Sequence, residues 1–145
     1  MATNTPNLDG GGRGLVAGGN TPSESSQGQD AIEFMTLSTQ GNAISFGNLV
    51  RNHYGFLGGM SSKVRGIFAG GVMYNMPGGP GSYVDDMDFV TIASTGNSTD
   101  FGNLVQGNRA DVRSASNETR GLVYGGNSGP SPVVRTNTIS FTTIA

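Results

Sequence analysis

One phrase is written three times along this chain, and a self-similarity of that length limits the fold to repeated modules. The copies are Arg13-Gly14-Leu15-Val16-Ala17-Gly18-Gly19, Arg65-Gly66-Ile67-Phe68-Ala69-Gly70-Gly71 and Arg120-Gly121-Leu122-Val123-Tyr124-Gly125-Gly126, starting 52 and 55 residues apart. A second phrase follows it each time: Ile32-Glu33-Phe34-Met35-Thr36-Leu37, Met87-Asp88-Phe89-Val90-Thr91-Ile92 and Ile139-Ser140-Phe141-Thr142-Thr143-Ile144. A third, Phe46-Gly47-Asn48-Leu49-Val50 and Phe101-Gly102-Asn103-Leu104-Val105, occurs twice.

The gaps between phrases separate what is packed from what is loose. Phe34 to Arg65 and Phe89 to Arg120 both span 31 positions, whereas first phrase to second spans 21, 24 and 21. The three extra residues therefore lie in the middle unit, within Val72-Met73-Tyr74-Asn75-Met76-Pro77-Gly78-Gly79-Pro80-Gly81-Ser82. Its Gly and Pro content predicts a surface loop, the place where insertions are tolerated.

Each phrase is a short β-branched, aromatic or aliphatic run bounded by Gly, Asn, Asp or Ser, without the i, i+3, i+4, i+7 recurrence of a helix. The expectation is an all-β protein. In the middle unit it places strands at about 53–59, 64–70, 86–92 and 98–104, with Met60-Ser61-Ser62-Lys63 and Ser94-Thr95-Gly96-Asn97 as turns, the latter supplying positive φ. Four antiparallel strands in about 50 residues match a kelch-type propeller blade. The paired glycines would let the backbone pass close to a neighbouring blade and turn. Leu15, Ile67 and Leu122, with Phe34, Phe89 and Phe141, would pack between blades, and loss of the Phe89 ring would cost about 3–5 kcal/mol if it is buried there.

The units run about 13–50, 51–104 and 105–145, preceded by an N-terminal arm at 1–12. The first lacks its first strand and the last its fourth, which leaves an open ring of about ten strands. A homodimer completing six blades is the simplest closure, and Thr3 to Leu8 is extended enough to add a strand to a neighbour.

Composition narrows the chemistry. Gly, Ser, Thr and Asn make nearly half of the 145 residues, charged residues 12%, and the net charge is −2. Leu, Ile, Val and Phe amount to about a fifth, close to the disorder boundary but without its high charge. With no Cys and one His, His53, disulfides, thiolate metal sites and poly-His zinc are excluded. Eight basic residues spread along an acidic chain give nucleic acid little to bind. No apolar run reaches membrane-span length and the first residues lack a signal peptide's parts, so a soluble protein without Sec-type export is expected.

Candidate sites are few. Asp85-Asp86-x-Asp88 offers carboxylates for Ca²⁺ but lacks EF-hand spacing, and Asp88 aligns with Glu33 and Ser140 on a polar strand face. His53 has no Ser or carboxylate at a catalytic spacing. Gly10-Gly11-Gly12-Arg13-Gly14 lacks the Lys-Ser/Thr of a phosphate loop. The repeated Arg13, Arg65 and Arg120 suit either an anion-binding ring or, preferably, guanidinium ties from each blade to the next through carbonyls or a carboxylate. Tyr74 and Tyr83 flank the inserted loop and are the best candidates for contacting a sugar, while packing is the expected use of Tyr54 and Tyr124. No cofactor is called for.

Together, the Arg-Gly-x-x-x-Gly-Gly strand, the turn Met87-Asp88-Phe89-Val90-Thr91-Ile92-Ala93-Ser94-Thr95-Gly96-Asn97 and the Phe-Gly-Asn-Leu strand resemble the kelch-like repeats of structural proteins in tailed bacteriophages, especially those of marine cyanobacteria. The resemblance covers about residues 13–145. It departs from eukaryotic kelch repeats in having no Trp, a place that Phe46 and Phe101 would fill. What it implies is a virion component with other virion proteins as partners; because no catalytic constellation stands out, the expectation is a non-enzymatic protein that decorates or cements capsid or tail, and the repeated phrases assign its blade interfaces to Arg13, Arg65, Arg120, Phe34, Phe89, Phe141, Phe46 and Phe101. A reading from another class is a glycan-binding adhesin for host attachment, built as a three-sheet β-prism with Tyr74 and Tyr83 at the sugar. A sugar-oxidase propeller is disfavoured by the absence of Cys and the single His.

Overall fold

The computed structural model describes residues 2–4, 12–20, 28–55, 57–73, 82–105, 107, 110–128 and 132–144. Among them there is no helix, and the strands form several small antiparallel sheets. The first sheet consists of β1 (Ala2–Asn4), β2 (Arg13–Ala17), β3 (Gln29–Thr36) and β4 (Ile44–His53), in that spatial order. The second sheet takes β5 (Gly58–Ser61) and β6 (Arg65–Ala69); a two-stranded ribbon, β7 (Val72–Met73) with β8 (Ser82–Tyr83), follows. It is completed by β9 (Asp86–Thr91) and β10 (Thr99–Asn103). The third sheet has three strands, β11 (Arg113–Ser116), β12 (Arg120–Tyr124) and β15 (Ile139–Thr143), with a ribbon of β13 (Asn127–Ser128) and β14 (Val134–Arg135) between the last two.

The repeat phrases occupy matching strands at matching register. Leu15 lies opposite Phe34, Ile67 opposite Phe89, and Leu122 opposite Phe141. Side chains alternate across a strand, so each sheet has two faces of fixed membership. One, the forward face, carries Leu15, Ile67 or Leu122; the other, the back face, carries Val16, Phe68 or Val123.

Four expectations are corrected. The first strand of the middle unit is Gly58–Ser61, not 53–59, because residues up to His53 extend β4, and Met60 and Ser61 are buried strand residues where a polar turn was expected. The first unit does not lack its first strand: Ala2–Asn4, part of the arm expected to reach a neighbour, pairs antiparallel with β2 of its own sheet. The rest of that arm lies outside the described residues. Val72, Met73 and Ser82 are ribbon and not loop, since the two apolar side chains are buried; Tyr74 to Gly81 lie outside the described residues. Gly96 has no positive φ; its N–H donates to the Phe46 carbonyl of the first sheet at 2.8 Å, so this turn is shaped by the sheet it touches.

The paired glycines turn the chain at the end of the first phrase. Gly18, Gly70 and Gly125 adopt φ of 67°, 66° and 64°, a left-handed conformation open to glycine at little cost, and the second glycine of each pair is also positive. A Cβ on Gly126 would stand 2.7 Å from the Ala110 carbonyl, too close for a side chain.

Candidate sheet-to-sheet interfaces

Two hydrophobic clusters hold the three sheets together. In the first, Leu15, Ala17, Ile32, Phe34, Phe46 and Leu49 from the first sheet's forward face meet Leu57, Phe68, Val90 and Ile92 from the second sheet's back face. In the second, Met60, Ile67, Ala69, Met87 and Leu104, with Phe89 and Phe101 partly buried, meet Val112, Val123 and Ile144. The same strand positions serve in both, so one junction is built twice from one pattern.

Aromatic pairs belong to both junctions. Phe34 and Phe46 meet edge to face at 5.8 Å between centroids, and Phe89 and Phe101 repeat that arrangement at 5.8 Å. Phe89 is only partly buried, so its removal should cost less than the full value expected of a core ring. Over these rings stand the repeated arginines: Arg13 is 4.6 Å from the Phe34 centroid, Arg65 is 5.2 Å from Phe89, and Arg120 is 4.9 Å from Phe141. Arg13 also crosses the first junction, its Nη1 donating to the Ile92 carbonyl at 2.6 Å. Each guanidinium is thus held over a ring of its own sheet.

Polar contacts fix the register of the sheets against each other. At the first junction, the backbone N–H of Val50 donates to Asp88 Oδ2 (3.0 Å) and Ser98 Oγ (2.9 Å), and Asn48 N–H donates to Asn97 Oδ1 (3.0 Å). At the second, the Ser114 and Ser116 hydroxyls donate to the Gly59 and Ser61 carbonyls, and Ser116 accepts from the Ser61 N–H. None of these serines was legible as functional. For Ser114 and Ser116 the one available signal was their place on the first strand of the third sheet, where a hydroxyl can satisfy the backbone of the adjacent edge.

Gly47 marks the closest approach. A Cβ there would collide with the Gly96 carbonyl, whereas one on Gly41 would meet nothing. Gly47→Ala should therefore pry the first two sheets apart and lower stability by about 2–3 kcal/mol, while Gly41→Ala stays near neutral. Thermal melts of the two variants side by side check this, and equal midpoints would contradict it.

Asp88, expected on a polar strand face, is instead buried and bonded by Val50 and Ser98, which suits a carboxylate that pins one sheet to another. Burial pushes its pKa above the ordinary carboxylate value, against the pull of those two hydrogen bonds. Asp86 pairs with Arg51 at 2.9 Å, and Asp85 accepts from Asn103 at 3.0 Å. Among the described residues no group of three His, Cys, Asp or Glu side chains is placed to hold a metal ion. His53 ends β4, buried, with Nδ1 lacking a hydrogen-bond partner. Burial first, then Arg51, lowers its pKa from 6.5 to about 4, so it is neutral at physiological pH. Tyr83 is half-buried on β8, and Tyr74 lies outside the described residues.

The two end faces differ from the inner ones. Phe34 is 7% exposed on the first sheet, but the equivalent Phe141 on the third is 65% exposed. Tyr124 and Ile139 share that forward face and are exposed too. At the other end, Leu37 is 49% exposed although its equivalents Ile92 and Ile144 are at 1% and 0%. Met35, next to it on the first sheet's back face, is exposed where Val90 is buried. Among the described residues, then, both ends of the stack present apolar positions that are covered at the inner junctions.

No family model matches this sequence, and no curated protein does. Among solved structures the chain is similar to the structure of YjhT, with a TM-score of 0.70 at 17% identity. The match covers 97% of this chain and 44% of that one, so the chain spans less than half of YjhT. A likeness at that identity concerns the fold. No helix among the described residues is long and apolar enough to cross a membrane.

Proposed function

We propose that this chain is a non-enzymatic structural component of a tailed-phage particle, its sheets acting as blades of an incomplete propeller and its bare end faces joining it to further protein. One observation carries the reading: the forward face of the third sheet and the back face of the first keep the apolar residues of an interface without its other half. Exposed apolar patches that continue a packed interface mark binding surfaces, because leaving them in water forgoes the stabilisation that the inner junctions obtain. Resemblance of the repeat phrases to tailed-phage structural proteins supplies the setting, with other particle proteins as neighbours.

Particles purified from a lysate that encodes the chain test this. Immunogold labelling with an antibody raised against the chain should decorate capsid or tail at a fixed position, and peptide mass spectrometry should recover the chain from the same particles. Particles free of gold and of its peptides would end the proposal.

A further inference from the structure

The two bare faces are related by the same repeat that relates the faces already packed together. Going from one sheet to the next, Leu15, Phe34 and Ile32 become Ile67, Phe89 and Met87, and then Leu122, Phe141 and Ile139, all on forward faces. On back faces, Val90 and Ile92 correspond to Met35 and Leu37 of the first sheet. The forward face of the third sheet is thus the next instance of a surface that twice receives a back face, and the only back face left bare among the described residues belongs to the first sheet.

We propose that the third sheet of one copy packs its forward face on the back face of the first sheet in a second copy, and reciprocally, so that two copies of this unit close a six-bladed ring. The inference deepens the propeller reading given above and rests on it, but it does not depend on the kind of particle. The partner is fixed by continuity with the inner junctions. Arg120, already held over Phe141, stands where Arg13 stands at the first junction, and the carbonyl corresponding to that of Ile92 is Leu37 of the second copy. The bulk also matches. At the level where Ala17 shares a cluster with Phe68, the new junction sets Tyr124 against Val16, so the large side chain changes sides and the pair stays one large with one smaller residue.

Copy number follows from closure. The described residues of each copy supply three sheets of blade size, propellers hold about four to eight blades, and six is the one multiple of three in that range. Contact between two forward faces would set Arg120 against Arg120 with no carbonyl to receive either, which disfavours a dimer joined forward face to forward face.

The test uses the purified full chain in light scattering and sedimentation velocity across a concentration series. A mass twice the 14.9 kDa of one chain is expected. Phe141→Asp and Leu37→Asp alter exposed positions, so each should keep the circular dichroism and fold of the parent while raising the dimer dissociation constant at least about a hundredfold. Mixed together, these two variants should recover heterodimers, because one junction in the pair then carries neither change. A monomer at all concentrations, a trimer or open polymer, or a dimer insensitive to Leu37→Asp would each overturn the ring. A monomeric chain that still appears on labelled particles would sink this inference and leave the particle role standing, whereas a dimeric chain absent from particles would do the reverse.

Discussion

Phe68→Ala should lower the unfolding free energy by about 3–5 kcal/mol, moving the melting midpoint down by roughly 10–20 °C. Phe68 is 1% exposed and is the largest fully buried side chain among the described residues. It lies on the back face of the second sheet in the cluster with Leu15, Phe34, Phe46 and Leu49 of the first. Truncation would remove its buried area and leave a cavity at a boundary between sheets. The surroundings have little with which to fill it, since Gly66 and Gly70 flank the position on the same chain segment and contribute no side chain. Urea titration should show a lower midpoint at unchanged slope, the signature of lost stability without a change in the surface exposed. Phe141→Ala is the internal comparison: its ring is mostly exposed in the single chain, so the same deletion should scarcely alter the unfolding of monomeric protein. Equal losses from both would mean that the first junction is not where the stability resides.

The contrast between those two rings shows how much of this fold was legible from sequence. The repeated phrases fix strand identity, because alternation and β-branched content are local, and Leu15, Ile67 and Phe34 could be assigned to interfaces from pattern alone. What pattern cannot give is how many neighbours a sheet has. Phe34 and Phe141 occupy the same place in the phrase, yet one is covered by the adjacent sheet and the other is not. The first strand of the middle unit was misplaced for a related reason. Gly58-Gly59-Met60-Ser61 is weak as a strand by propensity, and it becomes one because Gly58 admits the Val112 side chain close by while Met60 enters the core between the second and third sheets. The burial of Asp88 is not legible, because alternation places it only on a polar strand face with Glu33 and Ser140. Its burial depends on the Val50 N–H and Ser98 hydroxyl, which come from elsewhere in the chain to satisfy the carboxylate. The ties made by Ser114 and Ser116 were invisible for the same reason: a serine in a strand carries no mark of what lies across from it.

Acid should weaken this protein through His53, by about 3 kcal/mol in full. The imidazole is 3% exposed at the end of β4, and burial, assisted by the charge of Arg51, brings its pKa from 6.5 to about 4. The sign follows from which state takes up the proton. Above pH 6.5 both folded and unfolded chains hold His53 neutral, so it has no effect. Between there and about pH 4 the unfolded chain is protonated while the folded chain resists, and each step down in pH favours unfolding. Asp88 acts in the opposite direction: its raised pKa means that the folded state takes up a proton before the unfolded one, so protonation there relieves a cost as pH falls into the carboxylate range. The two slopes are separable because His53 is the single histidine. Its Cε1 proton gives one NMR resonance, expected to stay at the neutral shift well below pH 6 and to titrate near 4. Denaturant unfolding at pH 7 and at pH 4.5 should show a fall in stability that His53→Gln removes, whatever that substitution costs at neutral pH. Parallel pH profiles for the parent and the variant, or a resonance titrating near 6.5, would mean that the ring is hydrated and the end of β4 open to water.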